Sequence, residues 1–485
     1  MSAVDRAGKQ FIGGEWIAST SADLLDVENP TTTEVLARVP RGSAEDAEAA
    51  VTAAAAAFEA WSTTPVAERA AIIWCAADIL KARADDIART ITLEVGMPLA
   101  MSKAVQVGRP IEVLTSLADA TERLEWAEQI DTTLVVREPL GVVVAITPWN
   151  VPLHQTIAKV GAALLAGCTV VHKPSEVAPL SAYELADVFA EAGLPAGVYN
   201  VVTGVGETVG EALIGHPKVD GISFTGSTAV GRHIGAVAAQ TVKKVALELG
   251  GKGPAVVLPG ADVAKAAQAA AARCFTNSGQ VCAALSRLIV PREELATAEQ
   301  ALVDYVNEQV LGDPLDEATT LGPLVSETQR SRVLKLVEAG AAEGAKVVVG
   351  GPGAAAPDKG YFVAPTVFSD VETSMTIAQA EVFGPVLCIL PYDTVEEAVA
   401  IANDSEYGLV GAVFGTDDEE STKVASKIRV GMIGVNGGRI NVKAPFGGYR
   451  QSGNGREFGT YGLEEFLEVK SMNFPGAERV VRPAV

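Results

Sequence analysis

The fold is decided by three short apolar segments: TVVHK at residues 169–173, GVYNVV at 197–202 and GISFT at 221–225. Helix-like stretches precede, separate and follow them. Strands of four to six mostly apolar residues that alternate with helices predict a parallel sheet covered on both faces. Right-handed crossovers then give a doubly wound, Rossmann-like unit. The predicted helices of this unit are 153–166, 181–192, 207–215 and one that begins at Thr228.

A second α/β unit is predicted after the glycine-rich stretch 249–254, the best candidate for a domain boundary. Its strand and helix patterns continue to about residue 435. The first of them are 255–258, 262–278, 287–290 and 293–311, in the order strand, helix, strand, helix. Before the Rossmann-like unit, the pattern predicts helices at 43–61 and 65–95 and extended segments at 132–136 and 141–146. One more strand is predicted at 466–472.

Composition excludes several classes of protein. The chain has 485 residues with 60 Asp plus Glu against 38 Lys plus Arg, and a net charge of −22 argues against nucleic acid or an anionic membrane as partner. No apolar run reaches the roughly 18 residues of a membrane span. The first ten residues lack the apolar core of a signal peptide. Five cysteines without a CxxC pair and four histidines without HExxH spacing predict neither a disulfide framework nor a metal site. We therefore expect a cytoplasmic enzyme.

Two residues are candidates for reactive groups. Cys282 follows the loop FTNSGQV (275–281), where backbone N–H groups and Asn and Ser side chains could lower the pKa of a thiol. An inert packing cysteine is the alternative, and it is our interpretation of the other four cysteines. Glu248 lies between Leu247 and Leu249. A buried, neutral general base and an ordinary surface glutamate at a strand end both fit that position.

Three loops follow predicted strands, where an open parallel sheet binds its ligand. GVGETVG (204–210) is one residue off the dinucleotide fingerprint and is weak evidence. FTGST (224–228) offers Ser227 and the free N–H groups of a helix start to a phosphate. In KPSE (173–176), a carboxylate can accept both ribose hydroxyls and would repel a 2′-phosphate. Ordinary βα turns and a solvated ion pair remain the alternatives for these loops.

In this order the segments resemble the aldehyde dehydrogenase superfamily, of the non-acylating, NAD-dependent type, over essentially the whole chain. The resemblance implies a Rossmann-like cofactor domain, a second α/β catalytic domain and a β-hairpin oligomerisation element. It places them at 1–121 and 141–249, at 250–440, and at 122–140 with 465–485; residues 441–464 return to the cofactor domain. The matching motifs are LELGGK (247–252), 275–283, TPWN (147–150), KPSE, FTGS (224–227), EVFGP (381–385) and PFGG (445–448).

The resemblance also implies an activity, the oxidation of an aldehyde to the carboxylic acid. Cys282 would be the nucleophile and would carry a thiohemiacetal and then a thioester. The Asn150 side chain and the Cys282 N–H would form the oxyanion hole. Glu248 would activate the hydrolytic water, with Lys159 and Glu457 relaying protons behind it. The family is usually dimeric or tetrameric, so we expect a homodimer or homotetramer.

NAD is the implied cofactor, because Glu176 favours it over NADP. Lys173 and Glu176 would hold the adenine ribose, Ser227 the pyrophosphate and Glu381 the nicotinamide ribose. The implied cofactor contacts are Ile146, Thr147, Pro148, Trp149, Asn150, Lys173, Ser175, Glu176, Gly206, Gly210, Phe224, Gly226, Ser227, Val230, Glu248, Leu249, Gly250, Cys282, Glu381 and Phe383.

The implied substrate tunnel is mostly apolar and predicts an aromatic or medium aliphatic aldehyde. Some relatives that oxidise succinic semialdehyde carry an arginine where Ala158 stands, which counts against short ω-carboxylate aldehydes. Two other activities remain as alternatives: acyl transfer to coenzyme A, whose enzymes generally lack the glutamate, and a cysteine-dependent esterase. The tunnel residues are Val151, His154, Gln155, Ala158, Phe275, Val281, Ile440 and Phe446.

Overall fold

The predicted parallel strands form the centre of a seven-stranded sheet in the computed structural model, which describes residues 6 and 8–481. An edge hairpin, which the sequence analysis did not predict, pairs antiparallel with the parallel strands. Thr169–Lys173 is buried along its whole length, which explains its lack of polar alternation. The spatial order is Lys244–Glu248, Gly221–Thr225, Val142–Ile146, Thr169–Lys173, Tyr199–Val201, Lys9–Ile12 and Glu15–Ala18.

A second seven-stranded sheet follows the glycine-rich stretch, and only its first two strands pair antiparallel. Its order is Lys346–Val349, Thr366–Ser369, Val386–Tyr392, Arg287–Pro291, Pro254–Val257, Val410–Phe414 and Met432–Val435. A separate antiparallel sheet joins Leu467–Asn473, Thr133–Pro139 and Ala127–Ile130, and Leu24–Glu28 pairs with Val35–Pro40. The predicted α/β fold class is confirmed.

In the described chain, six of the twelve helices with eight or more residues begin at a side-chain cap. Ser43 and Asp46 form a capping box at the start of Ala44–Ser62. The predicted helix 65–95 is two helices that meet at Arg83 and end at the left-handed Gly96 (φ 88°). The remaining helices of eight or more residues in the described chain are Arg109–Arg123, Pro152–Ala166, Leu180–Glu191, Thr228–Ala239, Val263–Phe275, Leu295–Asn307, Glu327–Ala342, Val395–Asn403 and Asp418–Ala425.

The first sheet places several predicted site residues along one edge. Ile146, Lys173, Thr225 and Glu248 are each the last residue of a parallel strand. Ile146 pairs in register with Lys173, and Thr225 with Glu248. The carboxyl ends of adjacent parallel strands therefore present the predicted motifs to one crevice, where open α/β sheets bind ligands.

Two further observations concern the described part of the chain. None of its helices is both long enough and apolar enough to cross a membrane. It contains no group of three or more His, Cys, Asp or Glu side chains arranged to hold a metal ion. The prediction that no signal peptide is present falls largely on residues 1–5 and 7, which lie outside the described residues.

Glu94 gives the fold a measurable pH dependence. Its carboxylate is buried, Oε2 accepts the Leu180 N–H at 3.0 Å, and Oε1 has no partner. Burial raises the pKa of Glu94 to about 8. Because this folded-state pKa exceeds the roughly 4.3 of an unfolded glutamate, the folded state loses stability as pH rises between the two values.

The Glu94→Gln variant tests this pH dependence. We expect its melting temperature to fall less than that of the wild type when the pH is raised from acidic to alkaline values, because glutamine does not ionise. Thermal unfolding across pH measures this, with exposed Glu59→Gln as the control.

Candidate active site

A cleft of about 610 Å³ lies at the carboxyl edge of the first sheet. Its wall contains residues of all three loops singled out in the sequence, although these loops are far apart in the chain. Other residues that the sequence analysis did not assign, such as His233 and Ile234, also line it. The predicted cofactor positions in its wall are Ile146, Thr147, Pro148, Trp149, Lys173, Ser175, Glu176, Gly206, Gly210, Phe224, Gly226, Ser227 and Val230.

The chemistry of this cleft fits a dinucleotide. Ser227 caps the helix Thr228–Ala239, so the free N–H groups of a helix start face the cleft. Lys173 Nζ lies 3.2 Å from Glu176 Oε2, and the Glu176 carboxylate is partly exposed at the wall. A Cβ added at Gly206 or Gly210 would meet nothing within 4 Å, so the wall is open at these positions. The cleft thus offers donors for phosphate and a carboxylate for ribose hydroxyls.

A smaller cavity of about 140 Å³ adjoins the cleft and shares Pro148, Trp149, Gly226 and Ser227 with it. Cys282 lies in its wall, half-buried. The remaining predicted cofactor positions in this wall are Asn150, Leu249, Gly250, Glu381 and Phe383. The cleft and the cavity thus contain every predicted cofactor position except Glu248.

Two residues that the sequence analysis missed support this cavity. Gln329 Nε2 donates to the Phe383 carbonyl at 2.8 Å, and Arg332 Nη2 donates to the Glu381 carbonyl at 2.8 Å. Both residues belong to the distant helix Glu327–Ala342, which carries no motif. The Glu381 carboxylate itself accepts the Gly251 N–H at 2.9 Å.

The loop before Cys282 has an unusual backbone. Asn277 and Ser278 are both left-handed (φ 52° and 53°), a conformation that residues other than glycine rarely adopt. Buried hydrogen bonds hold it: Ser278 Oγ donates to the Gly322 carbonyl at 2.8 Å, and Gln280 Nε2 donates to the Asn277 carbonyl at 3.1 Å. The loop therefore presents Cys282 to the cavity on a fixed backbone.

The expectation of a lowered thiol pKa is wrong for Cys282. Burial is the largest cause that raises its pKa to about 12, and the carboxylates of Glu381, Glu248 and Glu457 add to the effect. Nearby backbone donors are too weak to offset burial in an acidic site. Cys282 consequently rests as a neutral thiol and has to lose its proton when it reacts.

Asn150 is buried in the wall of the same cavity. One N–H of its side-chain amide donates to the Gln280 carbonyl at 2.8 Å. Its backbone carbonyl accepts from Gln106 Nε2 at 2.9 Å and from Asn277 Nδ2 at 3.0 Å. The second N–H of the Asn150 amide has no such partner in the described chain and is available to an oxygen in the cavity.

Glu248, Lys159 and Glu457 share a separate small cavity. Lys159 Nζ lies 2.5 Å from Glu457 Oε1, and both side chains are buried. Glu248 is 3% exposed, and neither oxygen of its carboxyl group has a hydrogen-bond partner in the described chain. Burial is the main cause that raises the pKa of Glu248 well above its usual range; Glu457 raises it further and Lys159 opposes the shift. The structure thus unites this trio but leaves Glu248 outside the cavity wall that contains Cys282.

The ring of Phe458 lies between two of the predicted substrate residues, His154 and Phe446. His154 packs against Phe458 with ring centres 5.6 Å apart, and Phe446 packs against the same ring at 5.5 Å. Phe458 was not predicted, because no motif marks it. Phe275 packs against Tyr305, and Gln155 Oε1 accepts from Thr225 Oγ1 at 3.4 Å. Val151 is buried and Val281 half-buried. The substrate roles of these residues stay predictions.

The other cysteines do not all pack in the core. Cys168, Cys274 and Cys388 are buried, and burial raises the pKa of each thiol. Cys75 is exposed on the helix Val66–Ala82, so the prediction of a packing role is wrong for this residue. A cysteine on the exposed side of a helix contributes nothing to the core.

Comparisons with known proteins agree with this geometry. The model of the aldehyde dehydrogenase family matches residues 16–472. The chain is 44% identical to 3-succinoylsemialdehyde-pyridine dehydrogenase of a Pseudomonas species over 96% of this chain and 98% of that protein. Aldehyde dehydrogenase C of Pseudomonas syringae, solved as a variant with NAD+ and octanal, is 46% identical with a TM-score of 0.95 over 97% of each chain.

An NAD+ complex of aldehyde dehydrogenase from Bacillus cereus is also similar. It is 40% identical with a TM-score of 0.94, and the likeness covers 97% of this chain and 96% of that one. Similarity of this extent in sequence and in structure confirms the family predicted from the motifs. The chain belongs to the aldehyde dehydrogenase family.

Proposed function

We propose that this chain oxidises an aldehyde to the carboxylic acid with NAD, using Cys282 as nucleophile. The observation that carries the proposal is the shared cavity of Cys282 and Asn150, which opens into a cleft built for a dinucleotide. The NAD+ complexes of two similar proteins support the choice of cofactor. When bound, NAD supplies the acceptor for the hydride that the aldehyde carbon gives up.

The first step uses the groups of the smaller cavity. Cys282 Sγ forms a bond to the aldehyde carbon, the carbonyl π pair moves to oxygen, and the thiol proton is released to solvent. The free N–H of Asn150 and the backbone N–H of Cys282 stabilise the oxyanion. Loss of hydride from this thiohemiacetal leaves a thioester on Cys282. The burial that raises the thiol pKa also strengthens these hydrogen bonds.

The second step needs water and a base. Glu248 takes a proton from water, the water oxygen bonds to the thioester carbon, and the C–S bond breaks with its electron pair moving to Sγ. The acid leaves, and the Cys282 thiolate takes up a proton to restore the thiol. Since the Glu248 carboxyl now lines the cavity of Lys159 and Glu457, we propose that it turns toward Cys282 for this step. The Lys159–Glu457 pair would receive the proton when Glu248 turns back. The raised pKa suits a group that must accept a proton near neutrality.

The preference for NAD is expected to depend on Glu176. We expect Glu176→Ala to raise kcat/KM with NADP relative to NAD by about tenfold or more, because the carboxylate no longer repels a 2′-phosphate and Lys173 becomes free to pair with it. Steady-state kinetics with both cofactors measures the ratio. Glu207→Ala, which removes another acid from the same cleft wall, is the control. An equal gain in both variants would mean that Glu176 does not hold the ribose.

The proposed activity is tested with the purified protein and a panel of aldehydes. We expect NADH and free acid from aromatic or medium aliphatic aldehydes; octanal in one related complex supports the aliphatic choice. Acyl-CoA without free acid would indicate the acylating alternative. Ester cleavage without NADH formation across the panel would indicate an esterase.

We also propose a homodimer or homotetramer in the cytoplasm, held together by the three-stranded sheet of residues 127–139 and 467–473. Ile130 and Val469 on this sheet are 52% and 65% exposed and would add apolar area to a contact with another subunit. Edge strands also favour pairing with a neighbour. Light scattering after size exclusion measures the mass, and a monomer would contradict the proposal.

A further inference from the structure

Gln106 is a buried glutamine that no predicted role accounts for. It is fully buried in the segment Ser102–Gly108, and its Nε2 donates to the Asn150 carbonyl at 2.9 Å. Its Oε1 has no hydrogen-bond partner. Gln106 lines neither the cleft nor the Cys282 cavity. Its hydrogen bond to the Asn150 carbonyl connects it to the active site.

The helix that carries Gln106 is irregular at this point. Ser102–Gly108 is a π-helix, in which the Arg109 N–H donates to the Ala104 carbonyl five residues back. Pro110 follows and has no N–H, so a regular α-helix would leave the Gln106 carbonyl without its donor. Proline thus explains why the helix changes register here. Such π segments are frequent at functional sites.

Hydrogen bonds hold both the backbone carbonyl and the side-chain amide of Asn150. Gln106 Nε2 and Asn277 Nδ2 donate to its backbone carbonyl, and the Gln280 carbonyl accepts one N–H of its side chain. Asn277 is anchored by the strained loop that also presents Cys282. The two donors on the carbonyl fix the backbone, and the Gln280 contact fixes the side-chain rotation. The free N–H of Asn150 is left with a single direction.

We propose that Gln106 is a positioning residue for the oxyanion hole, acting through the Asn150 carbonyl. The inference rests on the proposed function, since it assumes that Asn150 stabilises the oxyanion. Its physical basis is that stabilisation of developing charge requires donors held in place before the reaction. If Asn150 is displaced, its N–H stabilises the transition state less well. The residues that line the cofactor cleft keep their contacts.

The test is Gln106→Met, which keeps the length of the side chain and removes the donor. We expect kcat for aldehyde oxidation to fall about tenfold or more, with the NAD dissociation constant, measured by fluorescence, unchanged within about twofold. Asn150→Ala alone should lower kcat further. The double variant should be no slower than Asn150→Ala, because Gln106 has nothing left to position. Exposed Gln240→Met is the matched control and should match the wild type.

Several outcomes would overturn the inference. These are a wild-type kcat for Gln106→Met, additive losses in the double variant, or a parallel loss of NAD binding. If Gln106→Met fails to fold, Asn277→Gly removes the second donor while accepting the left-handed backbone. It must then show the same loss of kcat, retained NAD binding and non-additivity with Asn150→Ala. A wild-type enzyme that forms no NADH, or an Asn150→Ala variant of full activity, would instead refute the proposed function itself.

Discussion

Cys282→Ser is expected to lower dehydrogenase activity on the order of a thousandfold or more, because a serine hydroxyl in this buried site is a far weaker nucleophile than the thiol. NAD binding should persist, since the cleft walls around Lys173, Glu176 and Ser227 are untouched. The measurement combines steady-state NADH formation with NAD titration by fluorescence. A fall in activity without a fall in NAD affinity separates the loss of a nucleophile from the loss of the fold.

The matched control is Cys75→Ser, which makes the same chemical change at the exposed cysteine outside the site. It should keep full activity. Retention of dehydrogenase activity in Cys282→Ser would contradict the assignment of the nucleophile. Aldehyde-dependent labelling gives a second readout: acid quenching should trap an acyl group on Cys282 of the wild type, whereas the weakly nucleophilic serine of the variant should acquire none.

Glu248→Gln is expected to slow the hydrolysis of the thioester by about a hundredfold or more, the range of general-base catalysis. Formation of the thioester should suffer less, so rapid mixing should show a burst of NADH followed by a slow steady state. The exposed Glu59→Gln variant is the control and should show wild-type kinetics. A steady-state rate equal to the wild type in Glu248→Gln would exclude the role of Glu248 in hydrolysis.

The pH dependence of hydrolysis follows from the same residue. Glu248 acts as a base only when deprotonated, and burial with the Glu457 charge raises its pKa well above the usual range. The wild-type rate of hydrolysis should therefore fall as pH decreases through that raised pKa. Glu248→Gln should lose this descending limb. Single-turnover release of the acid across pH measures both profiles, and identical profiles would contradict the assignment.

Some features could be predicted because they are local. The strand Thr169–Lys173, the capped helix at Ser43 and the carboxyl-edge placement of Lys173 follow from apolar runs, a capping pattern and strand ends. The family resemblance added the residue roles. The hairpin Lys9–Ile12 with Glu15–Ala18 was missed, because four-residue strands are too short to show alternation.

Other features could not be read from the chain. Gln329, Arg332 and Phe458 contact the site from elements that carry no pattern of their own. Gln106 lies in a π-helix, and only the three-dimensional structure shows that its side chain points inward to Asn150. Glu248 lines the cavity of Lys159 and Glu457 and not that of Cys282, a placement that no motif encodes.

The sequence by itself determined the α/β class and the family and named candidates for the reactive groups, because these depend on periodicity and on chemical groups at given positions. Only the tertiary structure decided the state of those groups. Two of the three apolar segments end at Lys173 and Thr225 on one sheet edge, where the strand Lys244–Glu248 adds Glu248. In the adjoining cavity, burial raises the pKa of the Cys282 thiol and so favours the neutral thiol over the thiolate. The physical reason is that a pKa depends on desolvation and on charges brought close by folding, which sequence neighbours do not determine.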